Sequence, residues 1–352
     1  MPPPIHFGSF PNELKSFLSK NNFSQIFVLV DDNTEKLCLP HLLPHLPKAK
    51  IIGFLHGELN KSLETCQAIW EFLLEERADR KSLLINLGGG VVGDMGGFCA
   101  AVYKRGMPFI QIPTTLLAQV DASVGGKLGI DLGGVKNSIG VFCEPEAVFI
   151  DSIFLQTLPH RQIVSGYAEM LKHGLIADAD LFTKLSNHFP LEKPYRFSWD
   201  ELIQSSVTIK KSIVDADPLE QNVRKKLNFG HTIGHAIESY SLRYDNDPLL
   251  HGEAVAIGLV AEIYLSKRKL NMSKQQFVEA LFYVFRLFED GHPFIPTDAF
   301  PEILYYIEND KKNASQTINC TLLREIGDAV CDVPITHTDI IDALMFINTG
   351  EE

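Results

Sequence analysis

The chain predicts an α/β domain with a mainly parallel sheet, followed by an all-α helical domain. Three observations carry this expectation. Residues 25–151 alternate short apolar runs with helical periodicity, the pattern of βαβ units. The run Gly88-Gly-Gly-Val-Val-Gly-Asp94 follows one of those strands and leads into a helix. Beyond Asp151, glycine-punctuated strands give way to long helical patterns reaching roughly residue 348. The change near Asp151–Pro159 divides the chain into residues 1–152 and 153–352, each long enough for its own core.

Composition narrows the class. With 45% hydrophobic and 22% charged residues the chain is an ordinary soluble globular protein. Lys plus Arg number 32 against 44 Asp plus Glu, net −12, which argues against a nucleic-acid partner. An anionic substrate would need its cations concentrated locally. Cys38, Cys66, Cys99, Cys143, Cys320 and Cys331 form no Cys-x-x-Cys pair and read as reduced, packed thiols of a cytoplasmic protein. The opening Met-Pro-Pro-Pro-Ile-His lacks the basic and apolar regions of a signal peptide. No apolar run suits a membrane, since Ala254–Leu265 is interrupted by Glu262.

Strands are expected at Ile26–Val30, Ile51–Leu55, Leu83–Leu87, Phe109–Ile112 and Val148–Ile150. Between the second and third, Leu63, Cys66, Ile69, Trp70, Leu73 and Leu74 recur at helical spacing. Asp31 and Asp32 follow the first strand, where an acid often holds an adenosine ribose; two aspartates there are also ordinary turn residues. Gly57-Glu-Leu-Asn-Lys61 puts another acid and a cation at the same sheet edge. The glycine run before the helix expected at Met95 fits a pyrophosphate cradle and a plain tight turn about equally. From Gln111 to Asn137, Thr114, Thr115, Asp121, Lys127, Lys136 and Asn137 interleave with Leu116, Leu117, Val120 and Val124, as in a cleft wall facing a ligand.

In the second part, Glu169 precedes Lys172 by three residues and His173 by four, so one helix face could offer a carboxylate and a cation. Alone, that is a surface ion pair of little worth. Lys210, Lys211, Asp217, Glu220 and Arg224 follow. In Leu227–Glu238, Ile233, Ala236 and Ile237 mark a half-buried helix with Phe229 just ahead. His231 and His235 lie one turn apart on one face of it. They could be a metal ligand and a basic partner, or two packed histidines; without His-Glu-x-x-His the pair alone favours packing. His251 opens an apolar helix, and Lys311 and Lys312 lie in a polar turn.

Chemically, Glu169, His231 and His251 make one carboxylate and two imidazoles, a common catalytic zinc set, with His173 competing for a place. Arg105, Lys127, Lys172, Lys210 and Arg224 exceed what a neutral sugar requires and suit a small substrate bearing both carboxylate and phosphate. A dinucleotide-type domain plus a Lewis-acid metal implies hydride transfer at a hydroxyl-bearing carbon.

Taken together, Gly88–Asp94, Pro113–Lys127, Lys136-Asn137, Gly166–Lys172, Leu227–Glu238 and His251-Gly-Glu-Ala-Val resemble the 3-dehydroquinate synthases of the sugar-phosphate cyclase superfamily. The likeness runs over nearly the whole chain. It implies a Rossmann-like NAD-binding domain over 1–152 and a helical zinc- and substrate-binding domain over 153–352, with the active site between them. Zinc, or cobalt, would sit on Glu169, His231 and His251, leaving His173 a bystander. NAD would contact Asp32, Glu58, Lys61, Gly89, Gly90, Val91, Gly93, Asp94, Thr114, Thr115, Lys136, Phe154, Leu155, Gln156 and Thr157. Substrate would meet Arg105, Asp121, Lys127, Asn137, Lys172, Lys210, Arg224, Asn228 and Lys311 or Lys312. Glu220 and His235 match the family's acid/base positions, with Lys172 and Lys210 also catalytic.

The implied reaction turns 3-deoxy-D-arabino-heptulosonate 7-phosphate into 3-dehydroquinate and phosphate in the shikimate pathway. This would be a cytoplasmic, homodimeric carbon–oxygen lyase with a sugar-phosphate substrate and neither nucleic acid nor membrane as partner. Two departures stand out. After Lys127 the chain reads Leu-Gly-Ile-Asp-Leu-Gly-Gly-Val-Lys-Asn, a loop variant that keeps the lysine spacing, and Pro218 stands where members often carry Glu. Keeping Lys172, Lys210, Arg224 and Asn228 together favours a carboxylated substrate over those of other cyclases. A metal-dependent polyol dehydrogenase would need no such cation cluster. A binding module without catalysis would be expected to have lost a metal ligand or base, and none is missing.

Overall fold

The computed structural model describes residues 3–8, 10–46, 48–133, 135–189, 197–288, 293–309 and 318–350. It divides into two compact units, Met1–Ile163 with Trp199–Val207, and Val164–Ser198 with Thr208–Glu352.

The first unit runs β1 (Ile5–Phe7), α1 (Phe10–Lys20), β2 (Ile26–Asp31), α2 (Asp32–Leu37), α3 (Leu39–Leu42), β3 (Lys50–Phe54), α4 (Leu63–Glu75), β4 (Leu83–Gly88), α5 (Gly90–Val102), β5 (Phe109–Pro113), β6 (Lys127–Leu132), β7 (Val135–Phe142) and β8 (Ala147–Ile150). Six strands form a parallel sheet in the order β1-β8-β5-β4-β2-β3. β4 is buried throughout, as a strand covered on both faces should be. One apolar cluster joins α4 and α5 to the sheet through Cys66, Ile69, Leu73, Met95 and Leu84, and another seats α1 on Val28, Ile110 and Phe149. The chain leaves β2 toward β3 on one side and β4 toward β5 on the other. The strand order therefore reverses between β2 and β4, and the crevice beyond their carboxyl ends is where such sheets take ligands.

Two local expectations need correction here. α5 opens at Gly90 rather than Met95, so the glycine run is its first turn, with Gly89 as an extended N-cap. Residues 127–142 are not only loop; β6 and β7 pair antiparallel, burying Leu128 and Ile130.

The second unit holds α6 (His160–Ala177, from its fifth residue), α7 (Ala179–Asn187), α8 (Trp199–Ala216, from Thr208), α9 (His231–Tyr244), α10 (His251–Leu270), α11 (Lys274–Phe285), α12 (Phe300–Asn309), β9 (Ile318–Glu325), β10 (Asp328–Ile335) and α13 (His337–Thr349). α10 is the hub, packed against α9, α11, α13 and β9. It is buried from Ala254 to Ser266, as a helix apolar on all sides must be. Each of its Leu259, Val260 and Ile263 side chains contributes about 2 kcal/mol by leaving water. Glu262, the break in that apolar run, is buried too. The helical reading does not extend unbroken to residue 348: β9 and β10 form an antiparallel hairpin, turned by Ile326-Gly327 with Gly327 at φ 93°. Among the described residues no helix is long and apolar enough to cross a membrane.

Candidate active site

In the first unit, the residues expected to meet a dinucleotide gather at the carboxyl ends of β2, β3 and β4. Asp31 caps α2 with a reciprocal Thr34 capping box, so Asp32 becomes the helix's first residue. Asp32 Oδ1 accepts from the His56 backbone N–H at 2.7 Å and lies 2.8 Å from His56 Nδ1. Glu58 sits on the short turn after β3, 3.5 Å from Lys136 Nζ. Lys61 is buried and donates to Asp94 Oδ2 and Asn137 Oδ1, both at 2.7 Å. Burial works against its charge, but Asp94 and Glu58 outweigh it and raise its pKa. Asp94 thus ties the glycine turn to the next loop.

Gly89, Gly90, Gly93 and Asp94 line a depression with Gln111, Pro113 and Ser123. Gln111 Nε2 donates to the Gly93 carbonyl at 3.0 Å, holding the helix's first turn on the sheet. Val91 belongs to the same turn. Thr114 is buried and donates its N–H to Gly88 O, while Thr115 Oγ1 accepts from Ala118 N. Phe154 and Leu155 turn their side chains into the core, Phe154 packing at a tilt against Phe10, whereas Gln156 and Thr157 are exposed.

Four residues expected at the substrate lie in this unit. Asn137, at φ 49°, spends its side-chain oxygen on Lys61. Asp121 is half-buried in the turn Ala118–Ala122, and Lys127 is exposed at the start of β6. Arg105 is not among the residues lining the glycine depression; it lines a separate hollow with Arg80, Met107, Cys143, Glu144 and Glu146.

The second unit gathers the rest more tightly. Two glycines on α10 set this up by backbone contact. A Cβ at Gly252 would lie 1.9 Å from Ser165 O of α6, and one at Gly258 would lie 1.9 Å from Gly230 O beside α9. Any side chain there would force these helices apart. The approach brings Glu169 of α6, His231 and His235 of α9 and His251 of α10 together. His231 Nε2 lies 3.4 Å and His251 Nε2 3.5 Å from Glu169 Oε1, and Lys172 Nζ abuts Oε2. A ring nitrogen from each of His231, His235 and His251 falls within 4.8 Å of the others. Glu169, Lys172 and His173 are all fully buried.

The other ring nitrogens are already committed. His231 Nδ1 faces Phe229 O at 3.1 Å and His251 Nδ1 faces Glu238 Oε2 at 3.2 Å. With those protons donated, each Nε2 is turned toward the Glu169 carboxylate. Neither Glu169 oxygen completes a hydrogen bond of ordinary geometry. Burial would raise its pKa, yet Lys172 first and His231 next hold it well below the carboxylate range. Burial and the Lys172 charge lower His231, keeping its ring neutral. Burial also opposes charge on His251, but Glu238 and Glu169 overcome it and raise its pKa to about 10. Two imidazole nitrogens and a buried carboxylate converging on one point suit a divalent cation, which would displace the proton that His251 Nε2 otherwise carries. Ligands of a tetrahedral zinc about 2.0–2.1 Å away stand about 3.3 Å apart, close to the separations seen. Glu169, His231 and His251 fit a divalent metal, with Glu238 and Phe229 O as their outer partners. The sequence reading did not single out Glu238, although it lies within the histidine stretch.

In the same unit Lys210 is buried on α8. Asp217 accepts N–H bonds from Gln221, Asn222 and Arg224, organising the loop before α9. Arg224 is buried with Nη1 on Pro218 O at 2.6 Å, so the unusual proline still serves the arginine through its carbonyl. Asn228 Nδ2 donates to Glu220 Oε1 at 2.8 Å, with Glu220 at φ 59°. Lys311 and Lys312 lie outside the described residues.

Comparison with known proteins identifies the family and the fold. A family profile described as 3-dehydroquinate synthase N-terminal matches residues 51–165, and its C-terminal counterpart matches residues 166–313. The chain is 42% identical over 339 residues to the 3-dehydroquinate synthase of Parabacteroides distasonis, covering 95% of this chain and 94% of that one. It is 40% identical over 334 residues to that of Pseudomonas fluorescens, covering 93% and 89%. Among solved structures, a 2-epi-5-epi-valiolone synthase from Streptomyces hygroscopicus with NAD+ and Zn2+ bound superposes with TM-score 0.85 at 25% identity, covering 97% and 95%. A 2-deoxy-scyllo-inosose synthase complexed with carbaglucose-6-phosphate, NAD+ and Co2+ shares the fold, with TM-score 0.80 at 23% identity over 97% and 95% of the two chains. By the matched profiles and by this identity over most of its length, the chain belongs to the 3-dehydroquinate synthase family.

Proposed function

We propose that this chain converts 3-deoxy-D-arabino-heptulosonate 7-phosphate into 3-dehydroquinate and phosphate. The observation that carries the reading is the convergence of Glu169, His231 and His251 beside buried Lys172, within a family of that activity. NAD at the β2–β4 crevice and zinc or cobalt on those three side chains would supply reversible hydride transfer and polarisation of the reacting oxygen.

The residues then divide the remaining work. Asp32, Glu58, Lys61, Gly89–Asp94, Thr114, Thr115, Lys136 and the Phe154–Thr157 turn hold the dinucleotide, Phe154 and Leu155 through backbone atoms since their side chains are packed. Lys172, Lys210 and Arg224 are buried cations suited to the substrate's carboxylate and phosphate. Arg105, Asp121, Lys127, Asn137, Asn228 and Lys312 complete the substrate set. His235, edge-on to His231 with ring centroids 4.9 Å apart, and Glu220, held by Asn228, are the groups that move protons. Residues 1–152 form the cofactor domain and 153–352 the metal and substrate domain of a cytoplasmic, homodimeric carbon–oxygen lyase. The net charge of −12 supports a substrate held by local cations rather than a nucleic-acid partner.

One assay tests this: zinc, a trace of NAD and the heptulosonate phosphate, with released phosphate and NADH absorbance followed together. The reading expects many phosphates per NAD without NADH build-up. NADH rising in step with substrate consumed would replace it with a dehydrogenase. No phosphate from this substrate, but release from carboxylate-free sugar phosphates, would make the chain another cyclase.

A further inference from the structure

The Asp32 carboxylate does not stand alone at the end of β2. His56, in the loop after β3, meets it twice, through its backbone N–H at 2.7 Å and its ring Nδ1 at 2.8 Å. Both contacts fall on the same oxygen, Oδ1. The His56 carbonyl in turn accepts from Asn60 Nδ2 at 2.9 Å, closing the turn that carries Glu58 and leads to Lys61. One residue outside the cofactor set thus ties together three members of it.

Stability does not account for this contact. The side chains are 58% and 30% exposed, and such pairs contribute less than about 1 kcal/mol. A ligand gives it a purpose. An acid at this strand end recognises the two hydroxyls of an adenosine ribose and repels a phosphate on the 2′ position. A freely rotating carboxylate would lose that freedom on binding, at the expense of affinity. Resting on the cofactor reading above, we propose that His56 is a positioning residue that sets dinucleotide choice. Its two donors occupy Asp32 Oδ1 and leave Oδ2 to face the ribose, so that NAD is preferred over its 2′-phosphorylated form. The His56 backbone N–H, and then its ring, also lower the Asp32 pKa, which keeps the acid charged and repulsive toward phosphate.

Equilibrium binding of NAD and NADP to the full chain, measured without turnover, tests the idea on wild type, His56→Ala, His56→Asn and Asp32→Ala. The Asn amide can reproduce the Nδ1–H donor. His56→Ala should weaken NAD about three- to tenfold, as expected for losing one solvent-exposed hydrogen bond of ordinary net worth. The NAD-to-NADP preference should fall by a similar factor, with the melting temperature unchanged, and His56→Asn should restore most of it. An unchanged preference in His56→Ala, while Asp32→Ala alters it, overturns the role of His56 and leaves the cofactor reading standing. A wild-type chain that binds no NAD overturns both.

Discussion

Glu169 and Lys172 are three residues apart, abut in the same buried place, and should do different things. Replacing Glu169 with Ala should remove the anionic member of the cluster and weaken metal binding more than about 100-fold, beyond the cost of losing an outer partner. Replacing Lys172 with Ala should leave the metal in place and lower kcat/KM about a hundredfold or more, because a charge aimed at the substrate is gone. Metal content by atomic emission, beside phosphate release, separates the two. Zinc retained in Glu169→Ala would remove that residue from the ligand set. At this scale the sequence shows much of the site, because His231 and His235 one turn apart must share a helix face. It hides the outer partners. Glu238 matters only because His251, thirteen positions on and past a turn, folds back against it.

Among the elements, α9 and α10 decide the geometry through backbone contact. Gly258→Ala would put a methyl carbon 1.9 Å from Gly230 O, so the helices must part. It should cost about 1–3 kcal/mol or more in urea unfolding, and weaken zinc in a titration of the folded variant. Wild-type values for both would mean that the helices part freely and that close packing does not set the site. Glu262 of α10 also serves α9, accepting N–H bonds from Gly230 at 2.5 Å and Ile233 at 3.2 Å where that helix has no side-chain cap of its own. Burial raises its pKa from 4.5 to about 8 despite those bonds. Between those values the folded chain keeps a proton that the unfolded chain releases, so this group's contribution to stability falls as pH rises. Glu262→Gln cannot ionise, and its melting temperature relative to wild type should therefore climb from pH 5 to pH 8.5. A flat difference would show that Glu262 does not hold that proton. Such contacts are hard to foresee from sequence, since a glutamate in an apolar helix reads first as an interruption.

For the molecule as a whole, the metal should link to stability in one unit only. Its three proposed ligands lie in the unit of Val164–Ser198 and Thr208–Glu352. Chelation should lower the calorimetric transition of that unit by about 5–10 °C from its value at metal a hundredfold above Kd, with the other unit's transition unmoved. No shift would remove the metal from the site.

The linear chain was enough to determine the class of architecture and the chemistry. The five strands expected of the first unit are present, with no end moved by more than one residue, because apolar alternation and length report directly on burial. Membership of the family was likewise legible in motifs of local spacing. Three things were decided only in three dimensions. The glycine run became a helical turn, because Lys61 and Gln111 hold it from outside. Residues 318–335 became a hairpin, because β9 found α10 to pack on. The Nε2 atoms of His231 and His251 came to face one carboxylate, because Phe229 O and Glu238 hold their Nδ1 atoms. Each outcome depends on groups far apart in the chain, and periodicity records which residues are buried, not what they are buried against.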